Sequence, residues 1–154
     1  MLNSLEKLHG IGIVHNDLKL SNIMVGDANG PALNRITLID FSLSTSFYDS
    51  EGNHIKEAQN ALGKGNQAFS SFSCLNGINT CRKDDLISLV YIMLYLQSGD
   101  FEFLQLDIET VSEEDIVLAK YKATAKSMCK GDLLVFKSFA KMVFSLKFGE
   151  TPCY

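Results

Sequence analysis

The sequence predicts a mainly α fold with short β hairpins. Three observations lead there: an apolar run at Leu86–Leu96, two later stretches of helical spacing, and three brief β-type runs near the start divided by turn residues. The 154 residues are 46% hydrophobic and 21% charged, with 11 Gly and 2 Pro, the composition of an ordered chain long enough to bury a core.

In chain order, Leu2, Leu5 and Leu8 keep helical spacing until Gly10 and Gly12 stop it. A helix this short is marginal alone, so a chain that opens inside such a stripe implies a further segment upstream. β-type runs follow at Gly12–Val14, Asn22–Val25 and Ile36–Ile39, and the turn residues from Gly26 to Pro31 separate the last two as a hairpin loop would. From Ser42 to about Lys83 the chain is rich in Ser, Asn and Gly without periodicity, and a compact domain rarely keeps so long an irregular stretch without a functional reason. Helices are expected at about 84–97, at about 113–128 after a Thr110-x-x-Glu113 capping signal, and at about 132–147. In the last, Leu133, Phe136, Phe139, Ala140, Val143 and Phe144 form a stripe suited to core packing. The run Leu86–Leu96 is apolar on every side and belongs at the centre of the fold. It falls well short of the roughly 20 residues of a membrane span.

Lys and Arg number 14 against 18 Asp and Glu, a net charge of -4, with no basic block, which disfavours a nucleic-acid partner or a polybasic membrane surface. Cys74, Cys81, Cys129 and Cys153 lie far apart with no C-x-x-C pair, the pattern of reduced thiols rather than of a disulfide or zinc framework.

The informative stretch is His15-Asn-Asp-Leu-Lys-Leu-Ser-Asn22, followed by a strand, a hairpin and Leu38-Ile-Asp-Phe-Ser42. Phosphoryl transfer needs a carboxylate that orients the attacking hydroxyl, a cation near the transferred group and oxygen ligands for Mg²⁺. Asp17, Lys19 and Asn22 share one loop, and Asp40 ends a strand from which it could meet the same metal. Alone, Asp-x-Lys is usually a solvated pair and a strand-ending Asp a turn residue. The ordered set of H-x-D-x-K-x-x-N, strand, hairpin and I-D-F carries the chemistry.

These residues resemble a eukaryotic protein kinase, and the casein kinase 1 family in particular. LHGIGIVHNDLKLSN resembles the kinase catalytic loop, and ITLIDFSLS resembles the strand and magnesium motif that open the activation segment. FYDSEGNHI, CRKDDLISLVYIMLY, CKGDLLVF and FSLKFGETPCY are similar to casein kinase 1 segments in the same order, with the likeness weakest at about 100–125. The resemblance implies a kinase-like C-terminal lobe with the N-terminal lobe missing, a partial domain over 1–154. Within it fall a catalytic loop at 15–22, a magnesium motif at 40–42, an activation segment at about 40–75 and a helical subdomain at about 84–154.

It further implies a Ser/Thr kinase that moves the γ-phosphate of ATP to protein hydroxyls with Mg²⁺. Asp17 would be the catalytic base, Lys19 would contact the transferred phosphate, and Asn22 and Asp40 would hold the metal. His15 would pack under the loop. Asp85 would accept backbone N–H bonds from it, and also suits a helix N-terminus as an anion. Asn66 stands where a Thr normally bonds the catalytic Asp and Lys, as a partial substitute. The implied partners are protein substrates, without nucleic acid or membrane, in cytoplasm or nucleus.

Several positions depart from the family. Asn16 replaces the usual Arg, removing the cation that grips a phosphorylated activation segment, and Ser42 replaces a Gly, losing free access to positive φ. Ala68 takes the place of a basic residue, TVSEEDI is acidic where the family is basic, and Phe144 replaces an Arg. Recognition of acidic or phosphate-primed substrates is therefore not expected. No Gly-rich phosphate loop, strand Lys or partner Glu occurs, so the ATP site is expected to be incomplete and the chain to lack turnover alone. The alternative is a degenerate pseudokinase lobe that acts as a protein-binding module. The changes at Asn16, Ser42, Asn66 and Phe144 motivate it, and retention of Asp17, Lys19, Asn22 and Asp40 speaks against it.

Overall fold

The computed structural model describes residues 1–26, 35–59, 65–101, 104 and 111–154. In chain order these form α1 (Leu2–Gly10), β1 (Ile13–Val14), a 3₁₀ turn at Leu20–Asn22, β2 (Ile23–Val25), β3 (Ile36–Leu38), β4 (Thr45–Ser46), α2 (Phe72–Leu75), α3 (Arg82–Ser98), α4 (Glu113–Lys122), α5 (Ala125–Met128), a 3₁₀ stretch at Gly131–Phe136 and α6 (Lys137–Ser145). Helix dominates and the strands are two or three residues long, as the sequence predicts.

The strands β2 and β3 pair antiparallel, with Ile23 opposite Leu38 and Val25 opposite Ile36. Most of the expected turn between them, from Asp27 on, lies outside the described residues. The other pair is no hairpin: β1 takes β4 from far along the chain, with Ile13 opposite Ser46 and Val14 opposite Thr45. That pairing brings the stretch after Asp40 back against the residues before His15. It lies inside the stretch read as irregular, because two polar residues carry no alternating pattern.

Helix α3 organises the core. Its start is fixed by Asp84, whose carboxylate accepts the Cys81 N–H at 2.9 Å and the Ser71 hydroxyl at 2.6 Å. Its end is Gly99 at φ 84°, a left-handed conformation that costs glycine nothing, with the Gly99 N–H donating to Tyr95 O at 2.8 Å. Leu86, Leu89, Val90, Tyr91, Ile92 and Leu94 are all buried, so apolar side chains point inward on every side but that of exposed Leu96. Leu5 of α1, Leu18, Leu38, Met128 of α5, and Ala140 and Val143 of α6 complete the core. Each fully buried aliphatic chain contributes about 1.5–3 kcal/mol.

Two helices differ from expectation for local reasons. The stretch 113–128 divides because Ala123 is extended at ψ 134° and Thr124 opens α5 with its own capping box to Ser127. The cap of α4 is Ser112, whose side chain accepts the Asp115 N–H, rather than Thr110, which lies outside the described residues. Before α6 the chain runs as 3₁₀ helix, in which residues three apart eclipse, so Leu133 and Phe136 both pack on the core while Leu134 and Val135 are exposed. Among the described residues no helix is long and apolar enough to cross a membrane, and none of the four cysteines forms a disulfide.

Leu94 is 0% exposed and Val135 is 74% exposed. Urea unfolding will show Leu94→Ala destabilised by about 2–5 kcal/mol, the cost of a core cavity, and Val135→Ala changed by less than about 0.5 kcal/mol.

Candidate active site

The loop His15–Asn22 hangs from α3 through one buried carboxylate. Asp85 Oδ2 accepts the His15 N–H at 2.7 Å and Oδ1 accepts the Asn16 N–H at 3.0 Å. His9 Nε2 lies 3.0 Å from Oδ2, and the Tyr154 hydroxyl bonds His9 Nδ1. With 1% of Asp85 and 4% of His9 exposed, water cannot replace these partners. Burial also pushes the Tyr154 phenol up to about 12, so it stays a neutral hydroxyl. Asp85 thus accepts the N–H groups of both His15 and Asn16. His9 is a partner that sequence reading missed, although it sits four residues after buried Leu5 on the same helix face.

Asp17, 4% exposed, is ringed by an ammonium and two amides. Lys19 Nζ donates to its Oδ2 at 2.7 Å, Asn22 Nδ2 donates to Oδ2 at 3.1 Å and to Asp17 O at 2.9 Å, and Asn66 Nδ2 donates to Oδ1 at 3.2 Å. Asn66 also donates to Leu18 O at 3.1 Å and accepts the Phe69 N–H at 2.7 Å, which ties the later stretch to the loop. Four of the expected site residues thus form one network. Gly65, at φ 90°, lets the two stretches meet there, since a Cβ at that position would lie 2.6 Å from Asn16 O. Gly63 and Lys64, the other residues of that glycine-containing stretch, lie outside the described residues.

His15 is fully buried, with Nε2 3.1 Å from Ile39 O and its ring against Phe41 at 4.9 Å between centroids. The Ile39 N–H donates to Asn22 O at 3.0 Å, so the β2–β3 ladder delivers Asp40 next to the loop. Asp40 itself is exposed and stands apart from the Asp17 network: among the described residues its carboxylate bonds only Ser42, through the hydroxyl at 2.7 Å and the N–H at 3.3 Å. Those two donors hold the Asp40 carboxyl below the usual aspartate range. Asp40 adopts φ 62° and Asn16 φ 67°, both in the left-handed region that Asp and Asn enter more readily than other non-glycine residues.

Lys120 is a second residue that sequence reading missed. It is 3% exposed, and Nζ donates to the carbonyls of Gln67 at 2.6 Å, Ala68 at 2.9 Å and Ser70 at 2.6 Å while lying 4.8 Å from the Tyr91 ring centre. Burial pushes its ammonium down to about 7, against the three carbonyls and the ring, which favour the charged form. Its effect is to fix the strand of chain that carries Asn66. Its signal was the i, i+4 spacing from buried Ile116. Phe144, read as a lost polar anchor, packs against Tyr91 at 6.3 Å between centroids, an apolar replacement at the core edge.

A family model described as fungal protein kinase matches residues 1–97. The sequence is 29% identical, over 160 aligned residues, to a protein of Encephalitozoon cuniculi described as a probable casein kinase I homolog. That alignment takes in 100% of this chain and 48% of the relative, so the chain spans about half the length of the curated relative it matches.

The Ser42 hydroxyl donates to the charged form of Asp40, so removing it in Ser42→Gly will raise the Asp40 pKa toward the ordinary aspartate value. Carboxyl chemical shifts followed through an acid titration test this. An Asp40 titration identical in both proteins contradicts it.

Proposed function

The chain belongs to the fungal protein kinase family, and from that premise we propose that it carries the catalytic loop and magnesium ligands of a casein kinase 1-like Ser/Thr kinase. The reaction moves the γ-phosphoryl group of ATP to a protein hydroxyl. The observation that supports this most is the buried Asp17 carboxylate with the Lys19 ammonium at 2.7 Å and the Asn22 amide at 3.1 Å, all on one loop.

In this reading Asp17 orients the substrate hydroxyl and receives its proton as oxygen bonds to the γ-phosphorus and the bond to ADP breaks. Lys19, whose side chain is 34% exposed, can turn from Asp17 to the oxygens of the transferred group, where its charge offsets theirs. Asn22 fixes Asp17 through two bonds, and its amide oxygen, with Asp40, would hold Mg²⁺. Mg²⁺, when bound with ATP, neutralises phosphate charge. The donor set fits that ion. One carboxylate with an amide oxygen would suit a cation that takes its remaining ligands from phosphate oxygens and water. The two Ser42 donors favour the charged form of this ligand. Asn66 and Lys120 hold the stretch after Asp40 as a surface for the protein substrate.

The test is Mg²⁺-dependent transfer from ATP to serine- and threonine-containing proteins by the full-length protein. Asp17→Asn and Asp40→Asn will each lower kcat at least about a hundredfold with unchanged circular dichroism. Full activity in both variants sinks the proposal. A well-folded full-length protein that transfers no phosphate, yet retains a protein partner, favours the degenerate binding lobe instead.

A further inference from the structure

We propose that Asn16 is a positioning residue whose side-chain amide clasps the stretch after Asp40 to the loop that carries Asp17, holding it with neutral hydrogen bonds that need no phosphate. The proposal rests on the reading of Asp17 given above. Asn16 precedes Asp17 directly, is 6% exposed, and spends every group it has. Its two amide protons go to Leu43 O and Thr45 Oγ1, each at 2.9 Å, and its Oδ1 accepts the Thr80 hydroxyl at 2.6 Å. Its own N–H is held by Asp85 at 3.0 Å. One side chain therefore joins three stretches distant in sequence: the loop, the entry to β4, and the residues that lead into α3.

The partners of that side chain are a carbonyl and two hydroxyls, none of them charged. A clasp made this way is complete as the chain folds, and it does not use the Arg82 guanidinium, which lies beside the segment at 4.6 Å from the Phe47 ring centre. Being buried and neutral, it should also be insensitive to salt. The residue type follows from the geometry. The backbone sits at φ 67°, which Asn tolerates, and only an amide of this length supplies two donors and an acceptor from that position. Aspartate keeps the shape but loses both donors, and glycine keeps the conformation but loses the clasp.

The full chain, produced in bacteria and shown by intact mass to carry no phosphate, is followed by hydrogen exchange. In the unmodified chain the amides of Thr45–Phe47 and Asn79–Cys81 exchange slowly, at equal rates in low and high salt. In Asn16→Gly both stretches exchange about ten- to a hundredfold faster, while α6 is unchanged. Thr80→Val speeds Asn79–Cys81 alone, and adding it to Asn16→Gly gives no further increase there. Loop-like exchange in the phosphate-free chain, acceleration equal to that of α6, or additive effects overturn the clasp. Positioning is read separately in the full-length protein: Asn16→Gly lowers kcat at least about tenfold with KM for ATP within about twofold. Faster exchange with unchanged kcat overturns the positioning role. The exchange readings do not depend on phosphotransfer, so the clasp and the kinase reading fail independently.

Discussion

Asp85 sits at the start of the most buried helix, and its two oxygens hold the backbone of His15 and Asn16 from inside the core. A buried carboxylate is tolerable only when its charge is met, and here two N–H groups and His9 meet it. The consequence runs outward from that contact. The core around α3 sets where Asp85 lies, Asp85 sets the path of the loop, and the loop sets where Asp17, Lys19 and Asn22 converge. His9 adds α1 and Tyr154 to the same anchor, so elements from both ends of the chain meet at one group.

The stretch after Asp40 is held mostly by uncharged contacts. Asn16 ties its beginning and Asn66 joins its later part to Asp17, while among the cations that touch it Lys120 is matched by backbone carbonyls, Arg82 lies 4.6 Å from the Phe47 ring centre and Lys83 meets Glu57 at 3.8 Å. Lys19 and Asp17 are the one close pair of opposite charges within the loop. In the proposed reaction that pair is the part that rearranges when substrate arrives, and its partly exposed lysine permits it.

Much of this was legible in the sequence because it rests on local patterns. The all-round apolar run marked α3, the runs Asn22–Val25 and Ile36–Ile39 marked β2 and β3, and the spacing of Asp17, Lys19 and Asn22 put the three on one loop. What escaped was set by tertiary contact. Thr45–Ser46 is a strand only because β1 lies beside it. The break at Ala123 depends on a capping pair, Thr124 and Ser127, in a segment of otherwise helical composition. Asn16 looked like a missing cation, and its three side-chain partners come from residues far along the chain. A buried lysine such as Lys120 reads as surface charge until the carbonyls that receive it are known.

Replacing Asp85 by asparagine tests the central dependence most directly, since the amide keeps the shape but has one acceptor in place of two and loses the charge that faces His9. In that variant the His15 and Asn16 amides will exchange at least about tenfold faster and the unfolding free energy will fall by about 2–4 kcal/mol. Unchanged exchange at those two amides, with α3 still protected, would show that the loop holds its shape without this anchor.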